Sequence, residues 1–306
     1  MASKKFSDKE LMKLLDADSK TLELFRKVRE DAMQEAKRLA SRKNKKIKVL
    51  GISGSARDRY DMAREDPNSE ELLKRCLKHC ERMGAETELL PLRKYRIEHC
   101  KACYSTTNTQ CHFYCTCYPK GKPGGDDMTN VIYDKLLSAD AIIFATPVNN
   151  FKISTLMAAF IDRCISMDGS LRPADPKNPK NADLNKKHMR FIELTADPEI
   201  PGSGMLRRFP GKVAGIIVTG HEAGAGMTIS NLFMTLNHYG MLFPPFSNMY
   251  AMNSICNSTY SDKETILGNC YDEEVKVVAK NVMAAAKAVR KAGVKSGDWA
   301  YDNSKN

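Results

Sequence analysis

The run Val49-Leu50-Gly51-Ile52-Ser53-Gly54-Ser55-Ala56-Arg57 sets two hydroxyls, a guanidinium and small residues directly behind a short apolar, β-branched stretch. A helical pattern resumes at Asn68 and Ser69. Strand, tight loop and helix start in that order make a cradle for a single phosphate. Small residues let backbone N–H groups approach an anion, hydroxyls add donors, and Arg57 adds a two-pronged cation. The helix start adds a favourable dipole. The loop lacks the G-x-G-x-x-G spacing of dinucleotide-binding turns, and no Gly-Lys-Ser/Thr follows as a Walker loop requires. An ordinary β-α turn bearing a solvated arginine has the same local pattern.

A second concentration of chemistry lies at Cys100, Cys103, Cys111, Cys115 and Cys117, spaced C-x2-C-x7-C-x3-C-x-C. Four close thiolates suit tetrahedral zinc or an iron–sulfur cluster; thiols without metal and local disulfides are the other readings. Cys100, Cys103, Cys111 and Cys115 are the preferred ligands, with Cys117 as the substitute. His99 and His112 read as bystanders. Cys76 and Cys80, at i, i+4 on a helix, and the isolated Cys164, Cys256 and Cys270 read as small buried hydrophobes.

These groups must be positioned by an alternation of strands and helices. Strands are predicted over 47–53, 86–92, 141–146, 212–219 and 242–247, and helices over 69–83, 129–138, 154–166, 227–239 and 272–292. Such alternation implies an α/β fold, a doubly wound parallel sheet of five strands covered on both faces. Ahead of it, residues 7–42 read as one long helix, begun by the capping box Ser7 and Glu10. Its apolar stripe must lie on its own domain or on a second subunit, and an arm on a partner subunit is expected. Residues 168–187, rich in Pro, Asn, Lys and Asp, read as an insertion without core, and 191–194 as a short extra strand. The domain plan is a helical extension over 1–46, the α/β domain over 47–293 and a tail over 294–306. The cysteine-rich segment spans 99–118.

Ligands of such sheets sit beyond the strand C-terminal ends, which turns three scattered segments into one pocket. The first is the 53–57 loop. The second is Thr146-Pro147-Val148-Asn149-Asn150-Phe151, whose amides offer donors and acceptors to the edge of a heterocycle. The third runs from Thr219, Gly220, His221 and Glu222 to Gly226, with glycines that permit backbone approach to a flat ring.

Residues 47–293 resemble the NAD(P)H-dependent FMN reductase branch of the flavodoxin-like superfamily. The likeness is carried by Gly-Ile-Ser-Gly-Ser-Ala-Arg (51–57), Asn-Ser (68–69), Ala-Asp-Ala-Ile-Ile-Phe-Ala-Thr-Pro-Val (139–148) and the stretch 156–163. The glycine-rich loop after Val-Thr-Gly-His (218–221) adds to it. The resemblance implies FMN at the strand ends, with Ser53, Ser55, Arg57, Asn68 and Ser69 holding the phosphate. Pro147, Val148, Asn149, Asn150 and Phe151 would flank the isoalloxazine, and Thr219, Gly220, His221 and Glu222 would lie along its other edge. His221 and Glu222 would then polarise the flavin or orient an acceptor, unless they only cap their loop. The first loop is longer than usual, and the carboxylates of 58–66 are expected to face away from the phosphate. The cysteine segment is similar to that of iron–sulfur flavoproteins, which precedes an Asp-Asp-Met like Asp126-Asp127-Met128. Their spacing, near C-x2-C-x2-C-x4 to 7-C, is tighter than here.

The implied activity is hydride transfer from NAD(P)H to FMN and onward delivery of electrons to a flavin, quinone or other acceptor. The alternative is an iron–sulfur flavoprotein carrying electrons between protein redox partners, with a [4Fe-4S] cluster or, failing that, zinc. A homodimer or homotetramer is expected. No apolar run approaches the roughly 18 residues of a membrane span, and the start lacks the apolar stretch of a signal peptide; a cytoplasmic location is expected, where thiols stay reduced. The net charge of +11 concentrates in 26–48 and in the last helix. No basic–aromatic stripe accompanies it, so a nucleic-acid partner is not expected and the charge reads as a solvated surface that also favours anionic ligands. Replacing Arg57 by Ala is expected to cause a substantial loss of FMN affinity, because a charge-assisted bidentate contact vanishes. Unchanged FMN binding would remove the assignment of the first loop.

Overall fold

The computed structural model describes residues 6–41, 45–62, 64–103, 111–220, 224–252, 267 and 269–293 (of 269 and 270, the backbone alone). The predicted single N-terminal helix is two: α1 (Asp8–Leu15) and α2 (Ser19–Ser41). Asp16, at φ 46°, closes the first, and the Asp18 carboxylate accepts the Thr21 N–H at 2.8 Å at the start of the second. An acid used as a cap leaves the apolar periodicity intact, so the break is invisible to it.

The α/β part follows as β1 (Lys48–Ser53), α3 (Asn68–Arg82), β2 (Glu86–Pro91), a π-helical turn (Met128–Ile132) running into α4 (Tyr133–Ser138), and β3 (Ala141–Asn149). Next come β4 (Lys152–Ile153), α5 (Thr155–Cys164), α6 (Ala182–Thr195), β5 (Val213–Gly220), α7 (Ala225–His238), β6 (Asn248–Met252) and α8 (Asn269–Ala292). Five strands pair in parallel in the order β2-β1-β3-β5-β6, and β4 folds back antiparallel on the end of β3. Leaving out the two-residue β4, this is the flavodoxin-like order, whose switch point lies between β1 and β3.

Side chains alternate across the sheet as the pleat demands. Leu50, Ile52, Ile142, Phe144 and Ile216 face α4, α5 and α7. Val49, Ala141, Ile143, Ala145 and Ile217 face α3 and α8. Among the described residues no helix is long and apolar enough to cross a membrane.

Four further expectations are corrected. Residues 191–194 are helical, inside α6, whose start is capped by Asn181 accepting the Leu184 N–H at 3.1 Å. The insertion is not without core: Leu171 and Ala174 join Leu11, Leu15, Leu22 and Phe25 of the N-terminal helices and Met189, Phe191 and Ile192 of α6. The N-terminal helices therefore bury their stripe on their own chain rather than reaching for a partner. Last, the final strand is Asn248–Met252 and not 242–247, where Leu242 makes only an isolated bridge to Val213; Pro244 and Pro245 have no N–H to give a ladder.

His188 lies in this third core, its ring centroid 5.0 Å from that of Phe25. Burial, and after it the nearby His112 and Arg29, lower its pKa to about 3, against about 6.5 in an unfolded chain. Between those values the unfolded state holds the extra proton, so stability is complete above pH ~6.5 and declines as pH falls toward ~3. A His188→Phe variant is expected to lose part of that acid sensitivity, read as a smaller drop in urea midpoint between pH 7 and pH 5.

Candidate functional site

The first and second loops are stitched together. The Gly54 N–H donates to Ala145 O at 2.8 Å, and Ser154, the cap of α5, donates its hydroxyl to Gly54 O. A Cβ on Gly54 would meet Met157 Cβ at 2.9 Å and Ser154 Oγ at 3.1 Å, so only glycine lets the loop lie this close to α5. The second loop is a two-residue hairpin in which Asn150 and Phe151 both take left-handed φ, 49° and 63°, as tight turns of this twist require. Asn149, Asn150 and Phe151 are exposed, Pro147 is half-buried and Val148 is buried. Thr219 lies opposite Pro147 in the β3–β5 ladder. The third loop packs on the second: a Cβ on Gly224 would come within 2.6 Å of Phe151 Cα, and one on Gly220 within 3.2 Å of Val148 Cβ. The three predicted segments thus meet at one edge. His221 and Glu222 lie outside the described residues.

Ser53, Ser55 and Ser69 are buried, Asn68 is half-buried and Arg57 is exposed. Ser55 Oγ accepts the Arg57 N–H at 3.2 Å. Among the described residues, Ser69 Oγ is buried with no hydrogen-bond partner and no side chain caps the amide end of α3. Ser53 Oγ makes no well-formed hydrogen bond but faces the Glu70 carboxylate closely enough to help ionise it. A buried orphan hydroxyl beside uncapped helix amides is a place where a phosphate oxygen would find donors. These residues fit the FMN phosphate.

Three loop carboxylates are engaged with cations, and Asp61 accepts the Asp58 N–H at 2.6 Å. Asp66 pairs with Arg59, Asp58 accepts from Arg93 Nε at 3.0 Å, and Glu65 is 4.0 Å from Arg57. Sequence reasoning missed Arg93 and Glu70. The Glu70 carboxylate, in the first turn of α3, is gripped by Arg93, with Nη2 at 3.2 Å from Oε1 and Nη1 on the other oxygen.

The cysteine segment is clamped at both ends. Arg163 and Asp126, 1% and 2% exposed, form a bidentate ion pair. Arg163 also donates to Glu98 O at 3.0 Å and to Thr129 Oγ1 at 3.1 Å, and stacks its guanidinium 4.4 Å from the Tyr118 ring centroid. The Tyr118 hydroxyl donates to His99 O at 2.8 Å. Burial pushes the Asp126 carboxyl up, but the Arg163 guanidinium with the Glu98 and Thr129 N–H groups holds it below its ordinary value.

Inside the clamp the thiol of Cys103 is in hydrogen-bonding reach of Cys111 and Cys117, and that of Cys117 in reach of Cys115. The Cys111 thiol, partly offset by Cys117, pushes Cys103 up to about 11, so the group rests protonated. The Cys100 Sγ accepts the Ala102 N–H at 3.4 Å. The thiols of Cys103, Cys111, Cys115 and Cys117 thus neighbour one another in pairs. The donor chemistry fits a thiolate-ligated metal or cluster. Among the described residues, however, no three His, Cys, Asp or Glu side chains converge as a preformed metal site.

A sequence profile of the family described as NADPH-dependent FMN reductase matches residues 47–253. An iron–sulfur flavoprotein of Archaeoglobus fulgidus is 32% identical over 117 residues, 38% of this chain and 50% of the relative. One from Methanosarcina thermophila is 28% identical over 119 residues, 39% of this chain and 53% of the relative. The chain spans about half the length of the curated relatives it matches. Among solved structures, RosB with bound 8-demethyl-8-formylriboflavin-5'-phosphate superposes with a TM-score of 0.55 at 15% identity, covering 81% of each chain. That likeness is one of fold.

Removing one member of a buried ion pair leaves an uncompensated charge, so Asp126→Ala is expected to cost about 3–5 kcal/mol, seen as a lower thermal midpoint. The double variant Asp126→Leu/Arg163→Met is expected to recover much of that loss. A double variant as unstable as Asp126→Ala would show that the polar network, not the stranded charge, carries the effect.

Proposed function

The chain belongs to the NADPH-dependent FMN reductase family, and from that premise we propose that it is an oxidoreductase working with FMN. Bound FMN would take hydride from NAD(P)H and deliver electrons to a flavin, quinone or other acceptor. The observation that carries this reading is the buried Ser69 hydroxyl, unpartnered among the described residues and beside a start of α3 that none of them caps, at the edge where the three loops meet. In it, Ser53, Ser55, Arg57, Asn68 and Ser69 bind the phosphate. The hairpin loop from Pro147 to Phe151 flanks the ring system, while Thr219 and Gly220, followed by His221 and Glu222, line its other edge. The chain supplies placement and charge; no nucleophile or general base of its own is required. The assembly proposed is a homodimer or homotetramer, served by a nicotinamide donor and a small-molecule or protein acceptor.

A second reading is favoured by the gathered thiols of Cys103, Cys111, Cys115 and Cys117. In that case the protein is an iron–sulfur flavoprotein, a carrier between protein redox partners, with the cysteine segment ligating a cluster. Two features support it: a soft four-thiol donor set and the similarity to iron–sulfur flavoproteins over part of the chain.

An absorption spectrum of anaerobically purified protein, with flavin, iron and zinc quantified on the same sample, separates the readings. Flavin without iron, together with brisk NADPH oxidation in the presence of a quinone or free flavin, is the outcome expected of a reductase. Flavin with about four irons per chain would favour the carrier. A colourless protein unable to take up FMN would defeat both.

A further inference from the structure

Arg93 is no part of the sequence pattern that pointed to the anion site, yet the fold sets it beneath that site. It sits in the short turn Leu92–Lys94 that ends β2, and the last residue of β2, Pro91, lies opposite Ser53 in the β1–β2 ladder. Its side chain is only 12% exposed, and that of Glu70 4%. One edge of the guanidinium holds Asp58, the residue directly after Arg57 in the first loop. The other holds Glu70, directly after Ser69 in the first turn of α3. One side chain therefore joins the two halves of the cradle, loop and helix start. A planar fork can serve two carboxylates at once in fixed geometry; a lysine ammonium cannot.

Charge gives a second reason. A carboxylate in the first turn of a helix is favoured by the dipole, but beside an anion site its bare charge would oppose the ligand in a poorly solvated place. Burial pushes Glu70 up; Arg93, and then the Ser53 hydroxyl, outweigh it, and the carboxyl sits below its ordinary value. Glu70 is therefore charged and needs a counterion. Arg93 supplies it at hydrogen-bonding distance, with Lys74 Nζ at 3.4 Å as the lesser contributor. Arg57 is placed otherwise: 43% exposed, with Glu65 at 4.0 Å, it is turned toward solvent where an incoming anion would meet it.

We propose that Arg93 is the positioning residue of the phosphate cradle: it fixes the first loop against the start of α3 and neutralises Glu70, so that the α3 amides, Ser69 and Arg57 are presented to a flavin phosphate. Arg57 contacts the phosphate; Arg93 acts through Asp58 and Glu70. The inference rests on the FMN reading above and adds to it a source of selectivity for the phosphorylated flavin.

FMN and riboflavin differ by the phosphate alone, so their affinity ratio isolates the effect. Both are titrated by fluorescence quenching into the full-length chain stripped of flavin, as wild type, Arg93→Ala, Arg93→Lys and Asp58→Asn. Arg93→Ala is expected to weaken FMN binding by about 10- to 100-fold and riboflavin binding by less than about twofold. Arg93→Lys is expected to recover part of the FMN loss, since it restores charge without the fork. Asp58→Asn, a change on the loop side alone, is expected to weaken FMN selectively by several-fold, and it decides the matter by the same ratio if Arg93→Ala does not fold. Equal losses for both flavins, or no loss for either, would overturn the proposal. A wild-type chain that bound neither flavin would instead overturn the FMN reading, so the two failures are distinct.

Discussion

The Arg163–Asp126 pair is the contact on which the architecture of this molecule turns. Two charges taken out of water are costly, and their attraction offsets the cost only when the remaining hydrogen-bonding groups are satisfied. Here Asp126 also accepts from Thr129 and from the Glu98 N–H, and Arg163 also reaches Glu98 O, Thr129 and the Tyr118 ring, leaving only its Nε without a partner among the described residues. Arg163 lies near the C-terminal end of α5. The N-terminal cap of the same helix, Ser154, holds the Gly54 carbonyl. One short helix therefore carries the anion cradle at its start and the cysteine clamp at its end. Nine residues of helix separate those two anchors, or about 13 Å, so the cradle and the thiols are held at a fixed and modest separation.

The cradle itself is closer to electrical balance than an anion site read from sequence would be. Asp58, Glu65, Asp66 and Glu70 all lie in or beside the first loop, and each has a cationic neighbour. What is left to attract a phosphate is largely the fixed dipole and amides of α3, the serine hydroxyls and the outward-turned Arg57. Such a site selects by geometry more than by net field. The overall charge of +11 is thus a property of the molecule's surface and a poor guide to the site.

The N-terminal helices belong to this scaffold as well. Glu35 of α2 is buried and accepts from Arg208 Nε and Arg172 Nη2, each at 2.7 Å. The Arg208 guanidinium lies 4.1 Å from the Phe113 ring centroid. Phe113 and Cys111 in turn exchange backbone hydrogen bonds with Leu171, at 3.0 and 3.1 Å. The extension, the insertion and the cysteine segment therefore form one continuous packing arrangement. An extension that looks dispensable along the chain forms part of the wall behind the thiols.

The parallel α/β sheet and the three loops at one edge were legible in the residues alone, because pleat, helical period and turn chemistry are local; the need for glycine at position 54 was not, because it comes from the contact with α5. The sequence could not reveal the break at Asp16, since a carboxylate cap disturbs no hydrophobic period. It also misassigned residues 191–194, where a short apolar run is ambiguous between strand and buried helix. Tertiary structure alone decided that the N-terminal stripe lies on its own chain, because a helix face does not specify what covers it. It alone set the thiols of Cys103 and Cys117 side by side, because the path of the segment is held by Arg163, Asp126 and Tyr118. And it alone put Arg93 against Glu70. The two residues lie far apart along the chain, and they are joined only because β2 pairs beside β1 and the carboxylate of Glu70 needed a counterion when it was buried.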